Sequence, residues 1–378
     1  MPSKELGVSK VLIELIKELQ KLGWLCKLLN PTDICPEILS YIGIKYQHKY
    51  VESLKNYLQQ YASKYDVIDY DHLYLPYPRS EFSNSTLFVA RSALLVHHFE
   101  TFPIPLQKSW RRKIAHVIKG RSRQSQLQTW IRDATVTIQE ADLINVNNYD
   151  AKTELVNRGI SAEKIVVVPL GISRTRRLLF DAVSSVPPEK PRVAFIGTFD
   201  TRKGANDFPE IVKYISYHVP DVCFRVLGTK NKTSDEVLSH FPKNLVNYLE
   251  VIPNFDSEEL PLLLTDCSVG VFPSYLEGFG FGVLEMLAAS IPVIAYDVPG
   301  PPMMLPPEYL VSKGDIKGMS NKVISLLHDQ QKLSAARLWA KQQSQQFSWQ
   351  NIAQITSENY LRCLEFKRTV NEKSPQLK

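Results

Sequence analysis

The chain has 378 residues, of which 44% are hydrophobic and 22% charged, with 24 prolines, 16 glycines and a formal net charge of +6. This composition excludes an intrinsically disordered chain and a fibrous one, and the length predicts about two or three domains. No stretch offers the roughly 18 uncharged apolar residues of a membrane span, and Lys4 and Glu5 lie where a signal peptide would be apolar. Because the five cysteines include no CxxC pair, we expect reduced thiols in a cytoplasmic protein.

Short apolar runs alternate with helical patterns through the first half of the chain. Residues 8–22 place apolar side chains on one face of a helix, which Gly23 ends. Further helices are predicted over 49–61 and 150–158, and strands are predicted over 24–29, 67–68, 87–90, 93–96, 143–146 and 166–168. Buried strands separated by helices are typical of a parallel sheet with helices on its faces.

A basic stretch interrupts this pattern. No acidic residue occurs between Thr101 and Arg132, and residues 108–123 combine lysines and arginines with apolar residues at helical spacing. The pattern predicts a basic amphipathic helix and leaves two alternatives open. Either its apolar stripe packs on its own domain, or the helix makes a peripheral contact with an anionic membrane at the inner membrane face.

A second series of alternating elements follows a segment rich in proline and serine, residues 182–191 (AVSSVPPEKP). Strands are predicted over 193–196, 223–227, 249–252, 269–272 and 292–295, and helices over 206–217, 257–265, 281–289 and 316–328. We interpret the segment as a linker between two doubly wound α/β units.

The stretch from Phe272 to Glu285 is the most informative part of the chain. A predicted buried strand ends at Phe272, and a glycine-rich loop leads into a helix. The backbone of such a loop can approach a ligand closely, and the N–H groups at a helix start favour a phosphate-sized anion. Glu277 precedes the helix and Glu285 lies in its first turns, so we expect both carboxylates at the same crevice. A plain turn and a carboxylate that complements the helix dipole are the structural alternatives.

Taken together, this stretch resembles glycosyltransferase family 4, the retaining transferases of the GT-B fold. The resemblance rests on two glutamates separated by seven residues around an EGFG loop, Glu277 and Glu285, followed by a small-residue helix (MLAAS) and a PVI strand. Residues 193–204 (VAFIGTFDTRKG) resemble the family's strand and basic turn at the start of the second domain. Residues 141–171 resemble the end of the first domain, and residues 347–349 resemble the start of the C-terminal segment.

The resemblance implies the GT-B fold, in which two Rossmann-like doubly wound domains face a cleft. It implies an acceptor-side domain over 1–184, a nucleotide-sugar-binding domain over 185–350, and a C-terminal helix over 351–378 that returns to the first domain and ends in a polar tail. The family has a strand and a glycine-rich loop before the first helix, whereas here only Gly7 remains of that loop. We therefore expect the first strand of the N-terminal domain to be missing, through a misassigned start or a fragment.

The resemblance further implies a retaining, metal-independent glycosyltransferase without a cofactor. Such an enzyme moves a hexose from a nucleotide-diphosphate sugar to an acceptor hydroxyl of a polysaccharide, a lipid-linked glycan or a small-molecule glycan, and we expect no nucleic-acid partner. One alternative is a catalytically weak or inactive glycosyltransferase-like binding protein, which the short N-terminus suggests. Another is an enzyme of the same fold with a different reaction on nucleotide sugars, such as a phosphorylase or an epimerase.

On the donor side, the resemblance assigns roles to individual residues. It implies that Lys203 brings positive charge to the departing diphosphate, that Glu277 binds sugar hydroxyls and that Glu285 accepts hydrogen bonds from the ribose. Thr198 stands where the family usually has an arginine, so donor affinity is either weakened or restored by Arg202. The other expected donor-binding residues are Gly197, Phe279, Gly280, Phe281, Ile252 and Ser274.

On the acceptor side, the expectations concern three residues. His98 follows a predicted strand and is expected to line the catalytic cleft, as the family often has a histidine in this region. His97 and Gly7 are expected to lie near the acceptor. A histidine at a strand end also has a structural alternative, in which it packs inside its own domain.

Overall fold

The computed structural model describes residues 7–102, 110–230 and 232–373, and the chain divides into two compact units. Unit 1 comprises the described residues up to Pro169 together with those from Gln350 onward, and unit 2 runs from Leu170 to Trp349. In these described ranges, no helix combines the length and the apolar character that crossing a bilayer requires.

Within the described ranges, ten strands form two parallel sheets. The sheet of unit 1 has the order β1-β2-β3-β4, and the sheet of unit 2 has the order β10-β9-β8-β5-β6-β7. The strands are β1 Val67–Asp71, β2 Leu87–Ser92, β3 Leu143–Val146, β4 Ile165–Val167, β5 Arg192–Ile196, β6 Cys223–Leu227, β7 Leu249–Ile252, β8 Val269–Phe272, β9 Val293–Tyr296 and β10 Leu310–Val311.

Thirteen α-helices lie in the described part of the chain. They are α1 Gly7–Lys21, α2 Pro31–Ile34, α3 Ile44–Tyr61, α4 Trp110–Glu140, α5 Tyr149–Asn157, α6 Arg174–Asp181, α7 Phe208–His218, α8 Ser234–Leu238, α9 Leu260–Leu264, α10 Phe281–Ala288, α11 Ile316–His328, α12 Gln330–Ser344 and α13 Trp349–Lys373. The side chains of the predicted basic helix, residues 108–123, lie outside the described part of the structure.

Two predicted strands of unit 1 are wrong. Residues 24–29 have no regular secondary structure, because Trp24 packs edge-on against Tyr360 of α13 and its Nε1 donates to the Ser357 hydroxyl at 2.9 Å. Residues 93–96 are not a separate strand either, since β2 continues to Ser92 and a 3₁₀ helix begins at Val96. The Ala93 carbonyl accepts from the side chain of Asn147 at 3.1 Å and not from a neighbouring strand.

Helix α13 joins unit 1 through buried polar contacts. The guanidinium of Arg91 on β2 pairs with Asp69 on β1 at 2.6 Å and donates to the Tyr360 hydroxyl at 3.2 Å. Nearer the end of α13, Lys367 pairs with Asp142 at 2.7 Å. Because unpaired buried charges are costly, these contacts fix the position of the helix on the sheet of its own unit.

His97 is buried inside unit 1, with 2% of its surface exposed. Its Nε2 lies 2.9 Å from the Thr135 hydroxyl, which donates its own proton to the Ile131 carbonyl at 2.7 Å. The imidazole must therefore donate from Nε2, so that Nδ1, which is buried without a partner among the described residues, is unprotonated. Burial, reinforced by the nearby Arg158, lowers the pKa of His97 to about 4.

Unit 2 encloses its sheet between helices on both faces. Helices α7 and α11 cover one face through residues such as Phe208 and Met319. Helices α6, α10 and α12 cover the other face through residues such as Phe180, Leu284 and Ala340. The predicted strands of this unit are confirmed, whereas the sequence patterns missed the two-residue β10 and the helices α6, α8 and α12.

The boundary between the units lies between Pro169 and Leu170, not at residue 184 as expected. The segment 182–191 belongs to unit 2 because the helix before it and an arginine that binds its carbonyls are both buried in that unit. Phe180 of α6 is fully buried in the core of that unit. The guanidinium of Arg337, which has no exposed surface, donates to the carbonyls of Ser184, Ser185 and Cys267 at 2.7–3.0 Å.

Gly204 occupies a position with no room for a side chain. It follows a 3₁₀ turn, Thr201–Lys203, and has a φ of +82°. A Cβ atom on Gly204 would lie 2.1 Å from the carbonyl oxygen of Pro273. The turn after β5 and the loop after β8 are therefore in direct backbone contact, which only glycine permits.

We predict that Gly204→Ala lowers the free energy of unfolding by about 2–4 kcal/mol, the sum of the left-handed backbone strain and the steric clash. Gly159→Ala is the matched control, because Gly159 has a φ of +87° with no atom within 4 Å of the added Cβ. It should cost only about 1 kcal/mol. Urea denaturation of both variants measures the difference, and equal losses would contradict the close approach.

We also predict that the stability of the protein falls as the pH decreases from about 6.5 toward 4, partly through His97. Its pKa is lowered in the folded state, so the unfolded chain takes up a proton first and is favoured in this window. His97→Gln, which keeps a donor for Thr135, should remove roughly 1–3 kcal/mol of this pH dependence. Replacement of the exposed His48 on α3 is the control, and an unchanged pH profile in His97→Gln would contradict the prediction.

Candidate functional site

The turn that follows β5 carries two basic residues of the candidate site. The Asp200 carboxylate accepts from the backbone N–H of Lys203 at 3.1 Å and from the Thr198 hydroxyl at 2.7 Å. These local bonds close the turn before Gly204. Thr198, which stands where the resemblance led us to expect an arginine, therefore supports the turn that carries Lys203.

Glu277 is the carboxylate on which this turn converges. Only 6% of its surface is exposed, and the Nζ of Lys203 is hydrogen-bonded to its Oε1. An Nη of Arg202 lies 3.7 Å from the same oxygen and donates to the Leu276 carbonyl at 3.2 Å. The basic turn after β5 and the loop after β8 thus meet in an ion pair at the carboxyl end of two adjacent strands.

The ring of Phe272 brings Lys203 and the start of α10 together. The Lys203 Nζ lies 5.2 Å from the centroid of this ring. A Cβ atom added to Gly280 or Gly282 would lie 3.5 or 3.3 Å from the same ring. Gly280, the N-cap of α10, has a φ of +86°, a conformation that favours glycine. The Lys203 ammonium group and the first residues of α10 therefore both lie next to the ring of Phe272.

The start of α10 presents unsatisfied backbone donors. Its first hydrogen bonds run from Val283 and Leu284 to the Gly280 carbonyl, so the N–H groups of Phe281 and Gly282 stand outside the helical ladder. Such groups carry the positive end of the helix dipole and favour an anion. Together with Lys203 and Arg202, they form a place suited to a phosphate-sized ligand.

Glu285 lies further along α10 and has a basic partner that the sequence patterns did not reveal. An Nη of Arg176 on α6 donates to its Oε1 at 2.7 Å and to the Ser257 carbonyl at 3.4 Å. Arg176 is only 6% exposed, and its Nε is buried without a partner among the described residues. An arginine one helical turn before the buried Phe180 was the available signal, but the short basic helix that carries both was not predicted.

The other expected donor-side residues differ in how far they are exposed to solvent. Ser274 is buried in the loop after β8, and Phe279 is buried as well, with its ring centroid 5.8 Å from that of Phe347. Phe281 is half-buried at the start of α10. The Ile252 carbonyl accepts from Gly228 at 2.9 Å, and the chain that follows it leads toward Ser257.

Gly197 and the three residues expected on the acceptor side complete the set. Gly197 directly follows β5, and a Cβ atom there would lie 3.6 Å from the side chain of Lys203. His97 and His98 lie in unit 1 on the 3₁₀ helix that begins at Val96. His97 faces the interior, whereas His98 is partly exposed and has a pKa that burial lowers. Gly7 is the first residue of α1, and its surroundings are outside the described residues.

A known protein family matches most of unit 2. Residues 178–343 match the family model of glycosyl transferases group 1. The chain is 26% identical over 172 residues to O-antigen chain mannosyltransferase B of Escherichia coli, a match that covers 44% of each protein. It thus spans about half the length, or less, of the curated relatives it matches first.

Solved structures show the fold of the whole chain. The structure of sucrose-phosphate synthase from Thermosynechococcus elongatus has a TM-score of 0.70, is 19% identical and covers 94% of this chain and 93% of its own. HepE from Anabaena, solved in complex with UDP, has a TM-score of 0.62, is 18% identical and covers 81% of both chains. The two parallel α/β units have the GT-B fold, and the residues that match the glycosyl transferases group 1 family model include Lys203, Glu277 and Glu285.

Proposed function

We propose that this protein is a retaining glycosyltransferase that transfers a sugar from a nucleotide-diphosphate donor to an acceptor hydroxyl. The observation that carries the proposal is the convergence of Lys203 and Arg202 on Glu277 beside the N-terminus of α10. Glycosyl transfer of this kind requires a site that stabilises a departing diphosphate, and here two basic side chains lie beside the backbone donors of a helix start.

Lys203 and Arg202 are the electrostatic groups of the proposed reaction. As the bond between the sugar and the diphosphate breaks, negative charge grows on the leaving phosphate oxygens. A fixed cation and the N–H groups at the start of α10 stabilise this charge more strongly in the transition state than in the bound donor. The ion pair with Glu277 holds the Lys203 ammonium in place before the donor arrives, so little reorganisation is needed.

The two glutamates have different tasks in the proposal. Glu277, at the end of the loop beside Lys203, accepts hydrogen bonds from hydroxyl groups of the transferred sugar. Glu285, one to two turns into α10, accepts hydrogen bonds from the ribose of the donor. A carboxylate suits both tasks because it provides only acceptors, which sugar hydroxyls match as donors.

We also propose a class of acceptor and a mechanism by which the configuration of the sugar is retained. A relative that matches part of the chain is an O-antigen chain mannosyltransferase, which supports a glycan acceptor. We propose attack from the face that the leaving diphosphate occupies, with a diphosphate oxygen taking the acceptor proton. No metal is needed in this scheme, because Lys203 and Arg202 supply the positive charge.

We predict that Lys203→Ala lowers kcat/KM for sugar transfer by about 100- to 1000-fold, because one charged donor to the leaving group is lost. The assay measures release of nucleoside diphosphate from UDP-, GDP- and ADP-sugars with a panel of glycan acceptors. The anomeric proton coupling of the product, measured by NMR, tests retention of configuration in the same reaction.

Lys213→Ala is the matched control for this experiment, since Lys213 lies on α7 in the same unit and pairs with Glu210 at the surface. The control should keep the activity of the unmodified protein. Equal activity of Lys203→Ala and Lys213→Ala would remove the site assignment, and turnover of none of the three donor classes would remove the proposed function.

We further propose that residues 108–123 make a peripheral contact with anionic membranes, on the basis of their basic and apolar sequence pattern. We predict preferential flotation of the protein with phosphatidylglycerol vesicles over phosphatidylcholine vesicles, at about 1 kcal/mol per basic residue near the surface. Replacement of Arg111, Arg112 and Lys113 by glutamine should reduce the preference by about 3 kcal/mol. Equal flotation with both lipids would contradict the proposal.

A further inference from the structure

Arg176 connects the carboxylate of Glu285 with the chain segment that follows β7. We propose that Arg176 is a positioning residue for recognition of the donor ribose: it holds Glu285 so that one carboxylate oxygen remains available for the ribose hydroxyls. This inference rests on the proposed function, because it concerns the nucleoside part of the same donor.

The contact geometry gives the two carboxylate oxygens different roles. The Arg176 Nη2 lies 2.7 Å from Oε1 of Glu285, and the two side chains are 8% and 14% exposed. In the part of the chain that the structure describes, no hydrogen bond engages Oε2. The carboxylate is therefore held by one oxygen and free to accept at the other, an arrangement that suits binding of a hydroxyl pair.

The same arginine group reaches a second element of the site. Its Nη2 donates to the Ser257 carbonyl at 3.4 Å, in the segment between β7 and α9. Arg176 thereby ties this segment to α10, across the face of unit 2 that we expect to hold the nucleoside. A change in Arg176 would release both neighbours at once.

Helix α6 is held firmly enough to position a carboxylate. One turn after Arg176, Phe180 is fully buried in the same core cluster as Leu284 of α10. On another side of the helix, Arg177 donates to the hydroxyl and the carbonyl of Ser344 at 2.7 and 2.8 Å. A side chain on such a fixed element can hold its partner within the narrow range of geometries that recognition requires.

The energetics argue against a role in packing alone. Burying an ion pair costs desolvation energy that the attraction between the charges offsets only in part, so apolar side chains usually stabilise such a position as well or better. Arg176 adds to this cost, because its buried Nε finds no acceptor among the described residues. The guanidinium leaves one donor unsatisfied and keeps its contact with Glu285, as expected if the orientation of that carboxylate matters for function.

The test compares nucleotides that differ only in the ribose hydroxyls. Titration calorimetry on the full chain gives dissociation constants for UDP, GDP and ADP, and then for the 2′,3′-dideoxy counterpart of the tightest binder. We expect the unmodified protein to prefer the ribonucleotide by about tenfold or more, because a hydrogen bond to a charged group is lost in the analogue. Arg176→Met and Glu285→Gln should each lose most of this preference, and the double variant should lose little more than either single variant.

Arg174→Gln is the matched control, since Arg174 is exposed on the same helix. It should keep the full preference for the ribonucleotide. A merely structural role of Arg176 would weaken binding of both nucleotides in proportion and leave their ratio unchanged, and this result would overturn the inference. If Arg176→Met does not fold, Arg176→Lys provides the same test, with an intermediate ratio expected and an unchanged ratio overturning the inference.

The outcomes separate this inference from the proposed function. Failure of the unmodified protein to bind any of the three nucleoside diphosphates would overturn the proposed function together with the inference. Binding without a preference for the ribose hydroxyls would overturn the inference through Glu285, while the role of Lys203 at the diphosphate would stand.

Discussion

The buried ion pair between Lys203 and Glu277 is the contact on which the arrangement of the site depends. A carboxylate that is nearly withdrawn from water requires a cation within reach, and here the cation comes from a different turn. Adjacent parallel strands deliver the two turns to the same edge of the sheet. The backbone bond from Tyr275 to the Arg202 carbonyl at 2.8 Å and the contact of Gly204 with Pro273 then hold the turns together.

Both glutamates of the site are paired with a basic residue, and each basic residue comes from a different element. Glu277 is paired with a lysine from the turn after β5, and Glu285 is paired with an arginine from α6. Each carboxylate is thus held by a cation from another element, Glu277 beside Lys203 and Glu285 further along α10. We infer that the chain uses these pairs to orient two acceptor groups within a largely buried environment.

The sequence predicted those parts of the protein whose signal is local. The strands over 223–227, 249–252 and 269–272 are short runs of mainly apolar residues, and their predicted bounds match the structure. The spacing of Glu277 and Glu285 revealed both carboxylates, but their partners are separated from them by 74 and 109 residues and leave no local pattern. Residues 24–29 failed as a strand for the same reason, because the anchor of Trp24 lies 333 residues away in α13.

Arg337 makes the segment 182–191 difficult to detach from unit 2. A segment with the composition of AVSSVPPEKP is normally an easy place for a protease to cut, and several of its side chains are indeed exposed. The carbonyls of Ser184 and Ser185 in this segment, however, accept from the guanidinium of Arg337, which is fully buried. The same guanidinium also binds the Cys267 carbonyl just before β8. Detaching the segment would remove two of the acceptors of this buried charge, those of Ser184 and Ser185, so cleavage there should require the cooperative opening of the whole unit rather than local fraying.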